Sequence, residues 1–261
     1  MKPGHGPGQN DRDWDGSWQR QDAQRLIRQQ AALPVRRLRE ALAAVLPPPG
    51  FRALELGAGG SAWLPFLAGR GAWAAGLDLS VPGLLLSREL LAASGAEAHL
   101  VRGDVLKAPF GDGFFDVVFS AGLVEHFADS RDVLRQALRL LRPGGLCITS
   151  VPNKLGLPGL LDSWLNPATF AGHVRYTPAS LAEQHSLVGF EVLSARYVGS
   201  FSLGARAPER GFLRLPYRIC RKALTAVVWG SLDLLKCYPE SRSFSPAVLV
   251  VARRPVEVGT G

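Results

Sequence analysis

An alternation of short apolar β-like runs with longer segments of helical period, opening on a strand that empties into a glycine-rich turn, narrows the fold of this chain more than any other feature. Strands are expected at 52–57, 72–79, 96–104, 115–122 and 145–152, and helices at about 61–69, 82–94 and 130–141. Such βαβ alternation produces a parallel sheet covered by helices on both faces, with right-handed crossovers. A helix at 178–188 then passes through Gly189 to a strand at 190–200, and a last strand is expected at 246–254. With 261 residues the chain has room for one main core and some decoration.

The flanking segments read differently. Residues 1–17 form an expected flexible tail with Trp14 and Trp18 as its anchors, and cap helices occupy 18–50, at about 19–32 and 35–46 around Pro34. The α/β domain then covers 51–202 and 245–254. Inside it, 152–176 is rich in Gly and Pro without a clean period, and a stretch of that length is expected to be a substrate lid. Residues 203–244 form a basic and apolar insertion ahead of the final strand.

The net charge of +8 raises the question of a polyanionic partner. The basic residues cluster in the N-terminal helices and in the insertion with few aromatics between them, so nucleic acid is not expected as a partner. A basic stretch followed by the apolar run 223–235, which contains Trp229, instead suits contact with an anionic membrane surface, Trp229 dipping into the acyl boundary. That run is too short to cross a bilayer, and the polar first residues lack the apolar core of a signal peptide. The expected location is cytoplasmic, with membrane association as an added expectation. Cys147, Cys220 and Cys237 are far apart and fit reduced, idle thiols.

The first strand runs into ELGAGGSA, where Gly57 and Gly59 permit a tight turn at a helix N-terminus, the usual seat of a cofactor. Gly57, Gly59 and Ala62 also satisfy the G-x-G-x-x-G/A dinucleotide pattern, and Asp78 follows at a ribose-binding distance. On these residues alone a nicotinamide oxidoreductase, a ligand-free turn and a non-catalytic binding protein all stay open.

Five segments in order extend the pattern: LELGAGGS (54–61), GLDLS (76–80), VRGDVLKAPF (101–110), FDVVFSAGLVEHF (115–127) and LRPGGLCITSVPN (141–153). Over about 51–200 the chain thereby resembles the class I S-adenosylmethionine-dependent methyltransferases, in particular the small-molecule type that includes ubiquinone-biosynthesis and polysaccharide or lipid O-methyltransferases. The resemblance implies a Rossmann-like α/β fold, a seven-stranded mostly parallel sheet with an antiparallel last strand. It implies S-adenosyl-L-methionine as cofactor and methyl transfer to an oxygen of a small-molecule or lipid- or glycan-linked acceptor. Carried over residue by residue, it implies that Glu55, Gly57, Ala58 and Gly59 shape the methionine end of the pocket. Asp78 with Leu79 would meet the ribose, Asp104 with Val105 the adenine, and Ser120 and Ala121 would line the transfer path.

His126, just past the fourth strand, is the candidate catalytic base for an acceptor hydroxyl, because imidazole titrates near neutral pH. A supporting, purely structural role is the alternative. His173, Arg175 and Tyr176 resemble a recurrent family segment facing the acceptor and are the candidate substrate contacts; Thr177 and Pro178 also read as the cap and first residue of the next helix. His5, His99 and His185 have no partner at metal-ligand spacing, so no metal site is expected.

Overall fold

The computed structural model describes residues 14–165, 171–203 and 214–256. A seven-stranded sheet runs through its middle in the order β3-β2-β1-β4-β5-β7-β6. The strands are β1 Arg52–Leu56, β2 Trp73–Asp78, β3 His99–Arg102, β4 Phe115–Ala121, β5 Leu141–Pro152, β6 Glu191–Val198 and β7 Ala247–Arg253. The first five pair in parallel, whereas β7 runs antiparallel to both β5 and β6. The sheet is therefore the one the strand alternation implied, with its final strand reversed.

The central strands are apolar almost throughout because each face meets a helical layer. In β1 and β4, Leu54, Leu56, Phe115 and Val118 point into the larger core, under helices α6 (Arg131–Leu140) and α8 (Pro178–Val188). Ala53, Val117 and Phe119 point the other way, against Leu38, Ala41 and Leu42 of helix α3 (Leu33–Ala43). Helices α4 (Leu64–Gly69) and α5 (Val81–Ala93) cover the edge nearest β2 and β3.

Local chemistry explains the helix ends. The side chain of Ser80 caps α5 by accepting from the Gly83 amide at 3.2 Å. Thr177 and Ser180 make a reciprocal capping box on α8, Pro178 follows in its first turn, and Gly189 closes the helix at φ +105°.

Three local expectations need correction. Residues 14–17 are not tail: Trp14–Gln19 is a helix, α1, followed by α2 at Ala23–Gln30. The irregular 152–176 segment contains helix α7, Leu157–Leu165. Pro158 and Gly159 disguised it, although a proline in the first turn costs no hydrogen bond. The insertion is not a basic stretch followed by a separate apolar helix; both lie on one long helix, α9, Arg214–Leu235. The rest of the expected tail (1–13), of the lid (166–170) and of the insertion (204–213) lies outside the described residues.

Candidate cofactor and acceptor site

The expected site residues gather at the carboxyl edge of four neighbouring strands, the end of an open α/β sheet where ligands bind. Glu55 to Gly59 leave β1, Asp78 and Leu79 end β2, Asp104 and Val105 follow β3, and Ser120 and Ala121 end β4.

The turn after β1 is held by backbone bonds from the Gly57 and Ala58 amides to Leu77 O, at 2.9 and 3.1 Å. Gly57 has φ +75°, and a Cβ there would sit 3.0 Å from Leu123 Cδ1. A side chain would be strained by the backbone and by its neighbour together. The Ala58 methyl is buried in the small core under α4, so only its backbone faces the turn.

Asp78 ties the turn to β2. Its Oδ2 accepts from the Gly59 amide at 2.8 Å and its Oδ1 from the Ser80 amide at 2.8 Å. Burial pushes its pKa up, and the amide donors oppose that shift. The carboxylate keeps a lone pair available for a hydroxyl donor. Leu79, beside it, is 57% exposed, an apolar surface without cover at the mouth of the site.

Glu55 lies beneath the turn, fully enclosed, where burial pushes its pKa up to about 8. It accepts a short hydrogen bond from Ser61 Oγ, which in turn accepts from the amides of Trp63 and Leu64 at 3.0 Å each. Glu55 therefore orients the loop through Ser61, which sequence reasoning quoted within the motif without giving it a role. Asp104 Oδ1 caps the short helical turn Val105–Lys107 by accepting from the Leu106 amide at 2.9 Å, and Val105 packs into the main core.

Helix α1 roofs the turn; the sequence marked Trp14 and Trp18 as anchors there but not the helix that carries them. A Cβ on Gly59 would lie 2.8 Å from the Trp18 indole, and one on Gly60 2.5 Å from it, so the ring rests directly on glycine backbone. Asp15 on the same helix accepts from Ser80 Oγ at 2.6 Å. A separate cleft of about 650 Å³ beside Trp73, Arg88 and His99 lies at the opposite, amino ends of β2 and β3.

At the acceptor end, His126 sits in the turn Val124–His126 beyond β4. Its ring meets the Trp14 edge at 5.0 Å and the His173 ring at 4.6 Å between centroids. The Val174 amide donates to Glu125 O at 2.8 Å, which joins the 171–177 segment to this turn. His173 thus lies beside His126, as an acceptor-side role requires, and Arg175 is exposed. Tyr176 is 6% exposed and packs into the main core, its hydroxyl meeting Ser130. Its position is set by the start of α8, as the Thr177 cap allows.

Among the described residues one group of ligand-type side chains converges, Glu125, His126 and His173. His99 stacks on Trp73 and His185 is buried between Thr149 Oγ1 and Leu181 O, while His5 lies outside the described residues.

Residues 54–149, the strands and turns just described, match the family model described as a methyltransferase domain. Over these residues the chain is similar to methyltransferase domains. The chain is 38% identical over 112 residues to a demethylmenaquinone methyltransferase of Mycolicibacterium vanbaalenii, covering 41% of this chain and 46% of that protein. It is 29% identical over 154 residues to a ubiquinone biosynthesis O-methyltransferase of Azorhizobium caulinodans, covering 56% and 61%. The chain thus spans between about half and three fifths of the length of these curated relatives. Among solved structures, a Haloferax volcanii putative methyltransferase complex with the Trm112 activator superposes with a TM-score of 0.62 at 21% identity, over 94% of this chain and 99% of that one. The chain therefore shares its fold with proteins of low identity, and β6 and β7 complete its sheet beyond the matched residues.

Proposed function

We propose that the chain is an S-adenosyl-L-methionine-dependent methyltransferase acting on an oxygen of a small-molecule or lipid-linked acceptor. The observation that carries this reading is the Asp78 carboxylate, fixed by the Gly59, Ser80 and Leu79 amides at the end of β2 with acceptor capacity left for a ribose hydroxyl. The exposed Leu79 offers an apolar contact for the adenine, and Ser120 and Ala121 border the path to the acceptor. The names of the demethylmenaquinone and ubiquinone relatives support an acceptor of quinone-like chemistry.

In the transfer, an acceptor oxygen lone pair forms the new O–CH3 bond as the S–CH3 bond breaks. The electron pair stays on sulfur, leaving a neutral thioether, and the acceptor proton departs at the Glu125, His126 and His173 cluster. An in-line displacement of this kind gains most from alignment and exclusion of water. Helix α1, with Trp18 over the glycine turn and Trp14 against His126, supplies that cover.

A membrane-facing role for α9 belongs to the same reading. Tyr217, Arg221, Thr225, Val228, Trp229 and Leu232 make its half-buried inner stripe. Ile219, Ala223, Val227 and Leu234 lie exposed on the other side, Leu234 at 83%, with Lys222 flanking them. Trp229 is not an outward anchor, as the sequence suggested; its indole donates to Phe201 O at 2.9 Å. Trp164 on α7, 77% exposed, is the outward indole instead. No described helix is long and apolar enough to cross a membrane. We assign the exposed face of α9 to an anionic bilayer surface, its cations meeting lipid phosphates.

The test of the proposed chemistry is calorimetry with S-adenosyl-L-methionine and, separately, with reduced and oxidised nicotinamide cofactors. Binding of the sulfonium cofactor alone is expected. Binding of a nicotinamide cofactor in its place would overturn the reading.

A further inference from the structure

The turn after β4 and the segment ahead of α8 bring together three side chains of ligand type. Glu125, His126 and His173 each place one ligand atom so that the three lie within 4.8 Å of one another. His126 Nε2 stands 3.9 Å from Glu125 Oε1, too far for a hydrogen bond between them. Donors bound tetrahedrally at about 2.1 Å lie roughly 3.4 Å apart, so the three side chains converge near that spacing and would have to close by some tenths of an ångström around an ion.

The cluster is built from parts distant in the chain and held by more than its side chains. The Val174 amide donates to Glu125 O at 2.8 Å, fixing the backbone that carries His173 against the backbone that carries the other two. The Trp14 edge covers His126 from the α1 side, and the two imidazoles face each other at 4.6 Å. Glu125 is only 2% exposed, so the three side chains converge away from bulk solvent. Two neutral imidazoles and one carboxylate leave a divalent ion with one net positive charge and open coordination positions.

We propose that Glu125, His126 and His173 form a divalent transition-metal site of two imidazoles and one carboxylate. Imidazole ligands select zinc or iron-type ions over magnesium or calcium, and a three-ligand set leaves room for a further oxygen. The site stands beyond the end of β4, next to Ser120 and Ala121. Resting on the reading of an oxygen acceptor at this edge, the ion would hold that oxygen and make its hydroxyl more acidic, the proton leaving to solvent. The ion, rather than a free His126 imidazole, is then the group that activates the acceptor.

Cobalt(II) is the probe, because its visible d–d absorption reports imidazole and carboxylate coordination without any need for turnover. Untagged protein is stripped with chelator and titrated with cobalt(II), and zinc(II) is then added as competitor. The expected result is an intense low-coordinate spectrum that saturates at one equivalent and is displaced by zinc. His173→Ala and the nearly isosteric Glu125→Gln should each weaken cobalt binding by about tenfold or more. Cys220 and Cys237 are exposed thiols, so the titration is repeated in the Cys220→Ser, Cys237→Ser variant, where the spectrum should persist. A spectrum no different from aqueous cobalt in the wild-type protein, or loss of the signal with the two thiols, overturns the site. Binding of S-adenosyl-L-methionine, measured on the same preparations, separates the two ideas: cofactor binding without cobalt binding leaves the methyltransferase reading standing and removes the metal, and the reverse removes the reading and keeps the metal.

Discussion

The backbone amide of Gly59 donates to Asp78 Oδ2 at 2.8 Å, so the carboxylate proposed to bind the ribose also fixes the glycine turn that would pass the methionine end. Asp78→Ala removes both functions. We expect cofactor affinity to fall by about 2 to 3 kcal/mol, roughly 30- to 150-fold, the scale for hydrogen bonds to a charged group. Asp78→Asn, which keeps an acceptor for the amide, should lose less. Calorimetry that finds unchanged affinity in a folded Asp78→Ala variant would end the assignment.

Glu55 gives a pH-dependent signature. Its folded pKa lies at about 8, raised chiefly by burial, with the nearby Asp78 charge adding to the rise and the Ser61 hydrogen bond opposing it. At pH 7 the free protein therefore holds this proton. The ammonium of a bound S-adenosyl-L-methionine would favour the carboxylate and release it, so affinity should strengthen as pH rises toward 8 and level off above it. Calorimetry at pH 7 in buffers of different ionisation enthalpy should detect the released proton, and Glu55→Gln should abolish the buffer dependence. Equal heats in all buffers for the wild type would mean that Glu55 does not sense the cofactor.

His185 sets an acid limit on stability. Its Nδ1 lies 2.8 Å from Leu181 O and therefore carries the proton, leaving Nε2 to accept from Thr149 Oγ1 at 2.9 Å. Burial lowers its pKa from 6.5 to about 4. A depressed histidine contributes stability that is fully present above pH 6.5 and is lost as pH falls through 4, up to about 3 kcal/mol. Urea unfolding should show this decline between pH 7 and pH 4.5, and His185→Gln should flatten it. A wild-type profile that is level over that range rejects the buried neutral imidazole.

The outward face of α9 predicts binding to anionic vesicles. Sedimentation with phosphatidylglycerol-containing vesicles at low salt should carry the protein down, and neutral vesicles should not. Val227→Glu places a charge in the centre of the exposed apolar face without touching the inner stripe, and it should leave the protein in the supernatant. Equal recovery in the supernatant with both lipids would point to a soluble acceptor.

The strands and the glycine turn were legible because they rest on local signals, whereas the reversed last strand was implied by the family resemblance. Apolar runs of strand length, a glycine turn and an acidic residue at a strand end act within a few residues of themselves, and the parallel sheet then brings the strand ends together. Thr177 and Gly189 were equally legible, since a cap reads only its own turn. Helix α7 was hidden by the same kind of reasoning, because Pro158 and Gly159 break a helix in its interior but not in its first turn. What tertiary structure alone decided is which distant surfaces meet. Trp18 on the glycine turn, Tyr176 turned into the core, Trp229 turned inward on α9 and His173 placed beside His126 all depend on closing long loops so that apolar area is buried, and no spacing along the chain encodes the partner that burial selects.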